Sequence, residues 1–273
     1  MLRSLLSLVT AVHGGRERYL ADTAKSVLEQ RLPVDWDLEW LIQEDSVEPE
    51  LRELVAKLAA GDARVRYEAN GAALGPGGTR TLALHRARGE LIRTLDSDDL
   101  LLPGALAIQI APFVAHADIQ WSVTQPDELM ADNSRSPYVS MLPLGLVPPG
   151  SLNHHMAEYG ACPVHCAGLM VRADVIRAFG GWMGLPAGED VGLLAAISEI
   201  FLGWHDPAIT WLYRRHPDQM TQTSSHPSWR TLGETTGVQR SAAIKRLGLI
   251  VTNASKRTVG SCSVATFATA DQL

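Results

Sequence analysis

Four consecutive residues, Asp96-Ser97-Asp98-Asp99, set three carboxylates at the end of the apolar run Leu91-Ile92-Arg93-Thr94-Leu95. Carboxylates this close repel one another unless a cation sits among them, and hard oxygen donors suit Mg²⁺ or Mn²⁺. A metal that must also bind a diphosphate needs such an incomplete cage. Taken alone, an Asp-x-Asp triplet is more often a solvated turn that caps the next helix. The apolar sequence on both sides argues for a site.

Acid recurs at two further places. Glu44-Asp45-Ser46 follows the apolar run 38–42, and Glu189-Asp190 precedes Val191, Leu194, Ile197 and Phe201 at helical spacing. Carboxylates in a helix's first turn complement its dipole, so the second pair by itself requires no chemistry. Candidate cationic partners are Arg80, after the glycine-rich stretch 70–78, and Arg214-Arg215-His216, after the run 208–213. Backbone N–H groups at a helix start, together with the Arg80 guanidinium, are suited to cradling phosphate.

An alternating α/β chain would position these groups. Residues 1–12 read as a first strand, His13-Gly14-Gly15-Arg16 as a turn, and Leu20, Ala24, Val27 and Leu28 as a helix stopped by Pro33. A strand over 38–42, a helix through Leu51, Leu54, Val55 and Leu58 ending at Gly61, and a strand over 64–69 follow. A flexible loop over 70–80 then feeds a helix at 81–88, the strand 91–95, a helix at 104–115 and a strand at 119–123. Such alternation predicts a parallel sheet with helices on both faces, and ligands bind outside the carboxyl ends of its strands. The acidic groups fall at those ends.

Residues 125–160 carry five prolines and little periodicity, the pattern of a binding loop. Beyond them the sequence predicts a strand over 165–172, a short helix over 173–179, a Gly180-Gly181-Trp182 turn, and a helix around 237–247. After Thr252 the Ser/Thr/Ala-rich tail has little to bury.

At 273 residues, 46% hydrophobic and 20% charged, with a net charge of -6, the chain reads as one α/β domain with an appended segment. No basic stripe points to nucleic acid, and no run approaches the ~20 apolar residues of a membrane span. The apolar start lacks a convincing small-x-small cleavage site, so it reads as a strand of a cytoplasmic protein. Three cysteines, Cys162, Cys166 and Cys262, cannot all pair, which fits a reducing compartment. Cys162 and Cys166 flank His165 without a fourth local ligand for Zn²⁺, and read as packed thiols.

The ordered motifs, from about residue 7 to 221, resemble the family 2 glycosyltransferases of the GT-A fold, a Rossmann-like, mostly parallel sheet with helices on both faces. Thr10-Ala11-Val12-His13 is similar to the family's first strand and turn, with His13 where Asn is usual. Glu44-Asp45-Ser46 is similar to Asp-Asp-Gly-Ser, and Thr79-Arg80-Thr81 to Ala-Arg-Asn. The segment from Ala87 to Asp99 is the closest match. Gly180-Gly181-Trp182, Glu189-Asp190 and Tyr213-Arg214-Arg215-His216 complete the series.

The resemblance implies nucleotide contacts from Thr10, Ala11, His13, Asp45, Arg80, Asp96 and Ser97. It also implies a Mn²⁺ or Mg²⁺ ion held by Asp98 with His216, and Asp190 as catalytic base. It divides the domain into a nucleotide-sugar-binding half (1–124), an acceptor-side half (125–221) and a C-terminal tail (222–273). The reaction implied is inverting, metal-dependent transfer from a nucleotide sugar, a UDP-sugar first, to an acceptor hydroxyl. Two alternatives stay open: a nucleotidyltransferase that makes nucleotide sugars, for which His13-Gly14-Gly15-Arg16 is a poor triphosphate loop, and a non-catalytic nucleotide-sugar-binding protein. The sugar, the acceptor and the oligomeric state are not specified.

Overall fold

The computed structural model describes residues 3–13, 18–47, 49, 51–222, 224 and 226–248. Gly14, Gly15 and Arg16 of the first turn, and the tail from 249 with Cys262, lie outside the described residues.

The first half is built from long parallel ladders. β1 (Ser4–His13) pairs along its whole length with β2 (Trp36–Asp45), after the crossover helix α1 (Leu20–Leu28). α2 (Arg52–Gly61) leads to β3 (Val65–Ala69) on the far side of β2. α3 (Gly75–Arg86) returns the chain to β4 (Leu91–Thr94), parallel to β1 on its other edge.

α3 begins six residues earlier than the sequence suggests. The glycine-rich stretch is the helix's first turn rather than a loose loop, and Pro76 fits there because an early helical N–H needs no intrahelical partner. Gly77 serves close approach: a Cβ at that position would collide with the carbonyl of Met183.

Past β4 come β5 (Leu100–Leu101), α4 (Ala105–Ala115) and β6 (Trp121–Leu129). β6 runs six residues beyond the expected strand, and the proline-rich region that follows contains β7 (Arg135–Pro137), β8 (Gly145–Val147) and α5 (Ser151–Tyr159). Most of the strand expected over 165–172 is instead a 3₁₀ turn at Cys166–Gly168 followed by the three-residue β9 (Met170–Arg172). α6 (Ala173–Ala178), α7 (Glu189–Ser198), β10 (Gly203–Arg214) and α8 (His226–Arg246) complete the order.

The strand order is β3-β2-β1-β4-β9-β6-β10-β5, with β7 on β6 and β8 on β10. β4 and β6 share a direction but are not neighbours, because β9 enters antiparallel between them. The sheet is therefore mixed, its longest ladders parallel. One apolar layer joins Leu6, Leu8, Trp40 and Ile42 to α1, α2 and α4; the opposite layer joins Val9, Leu41 and Ile92 to α3, α6 and α7.

α8 packs on α7 through glycine. Side chains at Gly188 and Gly192 would strike the α8 backbone, and side chains at Gly233 and Gly237 would strike that of Gly188 and Gly192. Ser241 continues the seam, donating from Oγ to the Ala196 carbonyl at 2.8 Å. Among the described residues no helix is long and apolar enough to cross a membrane.

Candidate active site

β1, β2 and β4 end side by side, and the groups at their carboxyl ends line one cleft of ≈ 270 Å³. Ala11, Val12 and His13 come from β1, Asp45 from β2, and Asp96, Ser97 and Asp98 from the turn after β4. Pro76 and Arg80 of α3 form another wall, and Tyr213, Gln219, Met220 and Thr221 close the cleft from the end of β10.

The three aspartates after β4 have three different partners. Asp96 Oδ1 accepts from Arg80 Nη2 at 2.6 Å, and Asp98 Oδ2 lies 2.7 Å from His216 Nε2. Asp99 turns inward and is fully buried, where Oδ1 accepts from the Arg214 backbone N–H at 3.0 Å. Burial, together with the charges of Asp98 and Asp96, holds the Asp99 carboxyl well above the usual range. Burial and Asp96 also raise Asp98, with His216 pulling it back. The triplet caps no helix; the residue before α4 is Gly104. Thr23 of α1 fixes the turn, its single hydroxyl proton shared between the carbonyls of Ser97 and Asp99, both at 2.9 Å.

His216 is held as firmly as Asp98. Gln219, almost fully buried, donates to the Arg214 carbonyl at 2.7 Å and accepts from the His216 N–H at 3.2 Å. The imidazole also packs on the Tyr19 ring, centroids 4.7 Å apart.

Arg80 joins this region to α7. Its side chain is 8% exposed, and its guanidinium pairs with Asp96 on one side and Glu189 on the other. Asp190 adds a third negative charge within electrostatic reach, and the three acids raise the Arg80 pKa despite burial, so the guanidinium stays charged. Burial first, then the Asp190 charge, pushes the Glu189 carboxyl up to about 7, with Arg80 opposing. Asp190 is half-buried at the start of α7, with Oδ1 accepting from Val191 N–H at 2.7 Å.

The cleft thus gathers Ala11, His13, Asp45, Arg80, Asp96, Ser97 and Asp98 of the expected set, with His216 against Asp98. Thr10 is not among its lining residues. It is fully buried, and its Oγ1 accepts from Trp40 Nε1 at 2.9 Å. Asp45 accepts from the backbone N–H groups of Leu74 (2.6 Å) and Gly75 (3.0 Å) and from Asn70 Nδ2 (3.1 Å). Two backbone donors at the start of α3, those of Leu74 and Gly75, therefore serve Asp45.

Glu189 as the buried partner of Arg80 left no local trace, the two being 109 positions apart. Gln219 is closer in sequence to the groups it holds, three residues after His216 and five after the end of β10.

The family's sequence profile, "Glycosyl transferase family 2", matches residues 7–178, more than half of the chain. The chain belongs to glycosyl transferase family 2. Over 135 residues it is 31% identical to the O-antigen biosynthesis protein RfbC of Myxococcus xanthus, covering 49% of this chain and 10% of that protein. Over 93 residues it is 33% identical to the GalNAc(5)-diNAcBac-PP-undecaprenol beta-1,3-glucosyltransferase of Campylobacter jejuni, covering 34% of this chain and 29% of that protein. The matches thus span well under half of these curated relatives. Among solved structures, S. aureus TarS 1-349 in complex with UDP-GlcNAc superposes with a TM-score of 0.65 at 14% identity, over 91% of this chain and 74% of that one. The family 2 chain thus has the GT-A fold.

The residues fit a divalent cation in part. Asp98 and His216 supply one carboxylate and one imidazole in mutual contact, and among the described residues no group of three or more His, Cys, Asp or Glu is set to hold a metal ion. Two protein ligands with substrate phosphates and water completing the shell is how Mg²⁺ is commonly held.

Proposed function

We propose that this chain transfers a sugar from a nucleotide diphosphate sugar to an acceptor hydroxyl, with inversion at the anomeric carbon. What carries the reading is the cleft where β1, β2 and β4 end, whose Arg80 is joined through Glu189 to the helix that bears Asp190.

The donor would lie with its base toward Asp45 and its diphosphate toward Asp98 and His216. Asp45 Oδ2 accepts one hydrogen bond from Gly75, so it retains the capacity to accept from a uracil N3–H. This favours UDP, the ligand type named for the TarS complex. Asp98 and His216 would hold Mn²⁺ or Mg²⁺, which when bound neutralises charge developing on the leaving diphosphate.

Asp190 would take the proton of the acceptor hydroxyl while that oxygen bonds the anomeric carbon on the face opposite the diphosphate. The bond to the diphosphate breaks as the new one forms. Residues 125–160 would shape the acceptor side. The cysteine content fits a reducing compartment, which supports reading the reaction as cytoplasmic.

Calorimetric titration with UDP and GDP, followed by donor-hydrolysis assays over several nucleotide sugars, tests the reading. UDP should bind more tightly than GDP, and at least one UDP-sugar should be hydrolysed slowly without acceptor. Tighter GDP binding would overturn the role of Asp45; binding without any sugar release would leave a non-catalytic binding protein.

A further inference from the structure

The segment between α5 and β9 brings two thiols together. Cys162 Sγ and Cys166 Sγ are 3.5 Å apart, in a hydrogen bond that either can donate. Their residues are 8% and 4% exposed, set against the apolar layer that includes Val164, Leu169 and Val191. A disulfide needs its sulfurs about 2.05 Å apart, so closing this pair brings them about 1.5 Å nearer. The proposed sugar transfer uses neither thiol.

We propose that Cys162 and Cys166 are a reversible oxidative modification site, closing to an intrachain disulfide when hydrogen peroxide reaches Cys162. The Cys162 sulfur attacks one peroxide oxygen, the O–O bond breaks, and a sulfenic acid and water are produced once protons are shared out. The Cys166 sulfur then attacks Cys162 Sγ, loses its proton, and releases the sulfenic oxygen as a second water. Two thiols and one peroxide give one disulfide and two waters; sulfur is oxidised and the peroxide oxygens are reduced.

The surroundings assign the order of attack. The hydrogen bond from Cys166 first, then the Val164 N–H and the nearby Arg230 guanidinium, lower the Cys162 pKa against burial. Cys166 is raised well above the usual thiol range by its bond to Cys162 and by burial. Cys162 is thus the attacking thiolate and Cys166 the resolving thiol.

Closure would be felt beyond the pair. The Ala167 carbonyl accepts from Arg93 Nη1 (2.8 Å) and Thr94 Oγ1 (3.1 Å), and the Gly168 carbonyl from Gln109 Nε2 (2.7 Å). The segment that carries the cysteines therefore braces β4, the strand before Asp96.

The full chain, exposed to hydrogen peroxide and then alkylated and digested with trypsin without reduction, provides the test. Cys162 and Cys166 share the tryptic peptide 136–172, and Cys262 lies on a separate one. The expected result is a 136–172 peptide lighter by two hydrogens and refractory to alkylation, restored by dithiothreitol. Cys166→Ser should instead trap Cys162 with one added oxygen, whereas Cys162→Ser should leave Cys166 alkylatable. The proposal is overturned if both thiols of the wild-type peptide remain alkylatable, or if that peptide gains oxygen atoms without losing the two hydrogens.

Discussion

β1 and β2 are ten residues each and pair along their full length, whereas β7, β8 and β9 are three residues each and antiparallel to their neighbours. The first region holds its site by backbone regularity: parallel ladders carry Ala11, Asp45 and Asp96 to one edge. The second holds its site by contacts between distant residues, Glu189 on Arg80 and α8 on the glycines of α7. Chemistry should therefore divide along the same line, with donor binding set by the ladder ends and transfer set by α7.

Asp190→Asn tests that division most severely. It keeps the shape and removes the proposed proton acceptor, so transfer should fall by roughly 10² to 10⁴-fold while UDP affinity, read by calorimetry, stays within a few fold. Near-normal transfer, or a parallel loss of UDP binding, would make Asp190 part of the helix start and nothing more.

Asp98→Asn and Asp99→Asn separate two neighbours by their surroundings. Asp98 faces the cleft against His216, so its loss should weaken Mn²⁺-dependent UDP binding by about 10- to 100-fold, the range seen when groups around a metal are altered. Asp99 accepts from a backbone N–H, which an Asn carbonyl oxygen also does, so its variant should bind UDP almost as the parent does. Equal losses would show that the turn, rather than a ligand, was damaged, and UDP binding unchanged by EDTA would remove the metal from the account.

The ladder half was legible in sequence because each of its elements satisfies a local rule. Runs such as 91–95 bury both faces of a parallel strand, and the acidic residues after them lie where strand ends meet. What sequence missed depends on partners far along the chain. Arg93 looks out of place in an apolar strand, yet it is fully buried, bonded to Gln109 and the Ala167 carbonyl, its pKa lowered to about 10 by burial. The side chain of Thr10, expected near the nucleotide, is buried and bonds Trp40, 30 positions away. The glycines at 75, 77 and 78 read as a loose loop, whereas Gly77 marks the contact with Met183. Residues 125–160 gave no period because their strands are too short to show one.

Helix packing gives the next comparison. A side chain at Gly233 would strike the Gly188 carbonyl, while one at Gly184, in the loop before α7, meets nothing within 4 Å. Gly233→Val should cost about 1 to 3 kcal/mol in urea unfolding, as overpacking does, and Gly184→Ala should be close to neutral. A neutral Gly233→Val would mean that α8 can lift from α7 without consequence.

The smallest effect belongs to Glu189, and it is a matter of pH. One guanidinium, Arg80, faces Asp96, Glu189 and Asp190, and burial with the Asp190 charge pushes Glu189 up to about 7 from an ordinary 4.5. Between these values the folded chain holds a proton that the unfolded chain has released. The resulting stabilisation is complete below the unfolded pKa and is lost as pH rises through the folded one. Glu189→Gln cannot ionise but still offers Arg80 an amide oxygen, so it isolates this contribution from every other titrating group. Urea unfolding of both proteins at about pH 5 and about pH 8 should show the parent losing stability relative to the Gln variant as pH rises. If the two keep a constant difference, or if the parent gains on the variant at high pH, Glu189 is already ionised against Arg80 well below neutrality. The bond between the cleft and α7 would then be an ordinary ion pair, not weakened by alkali.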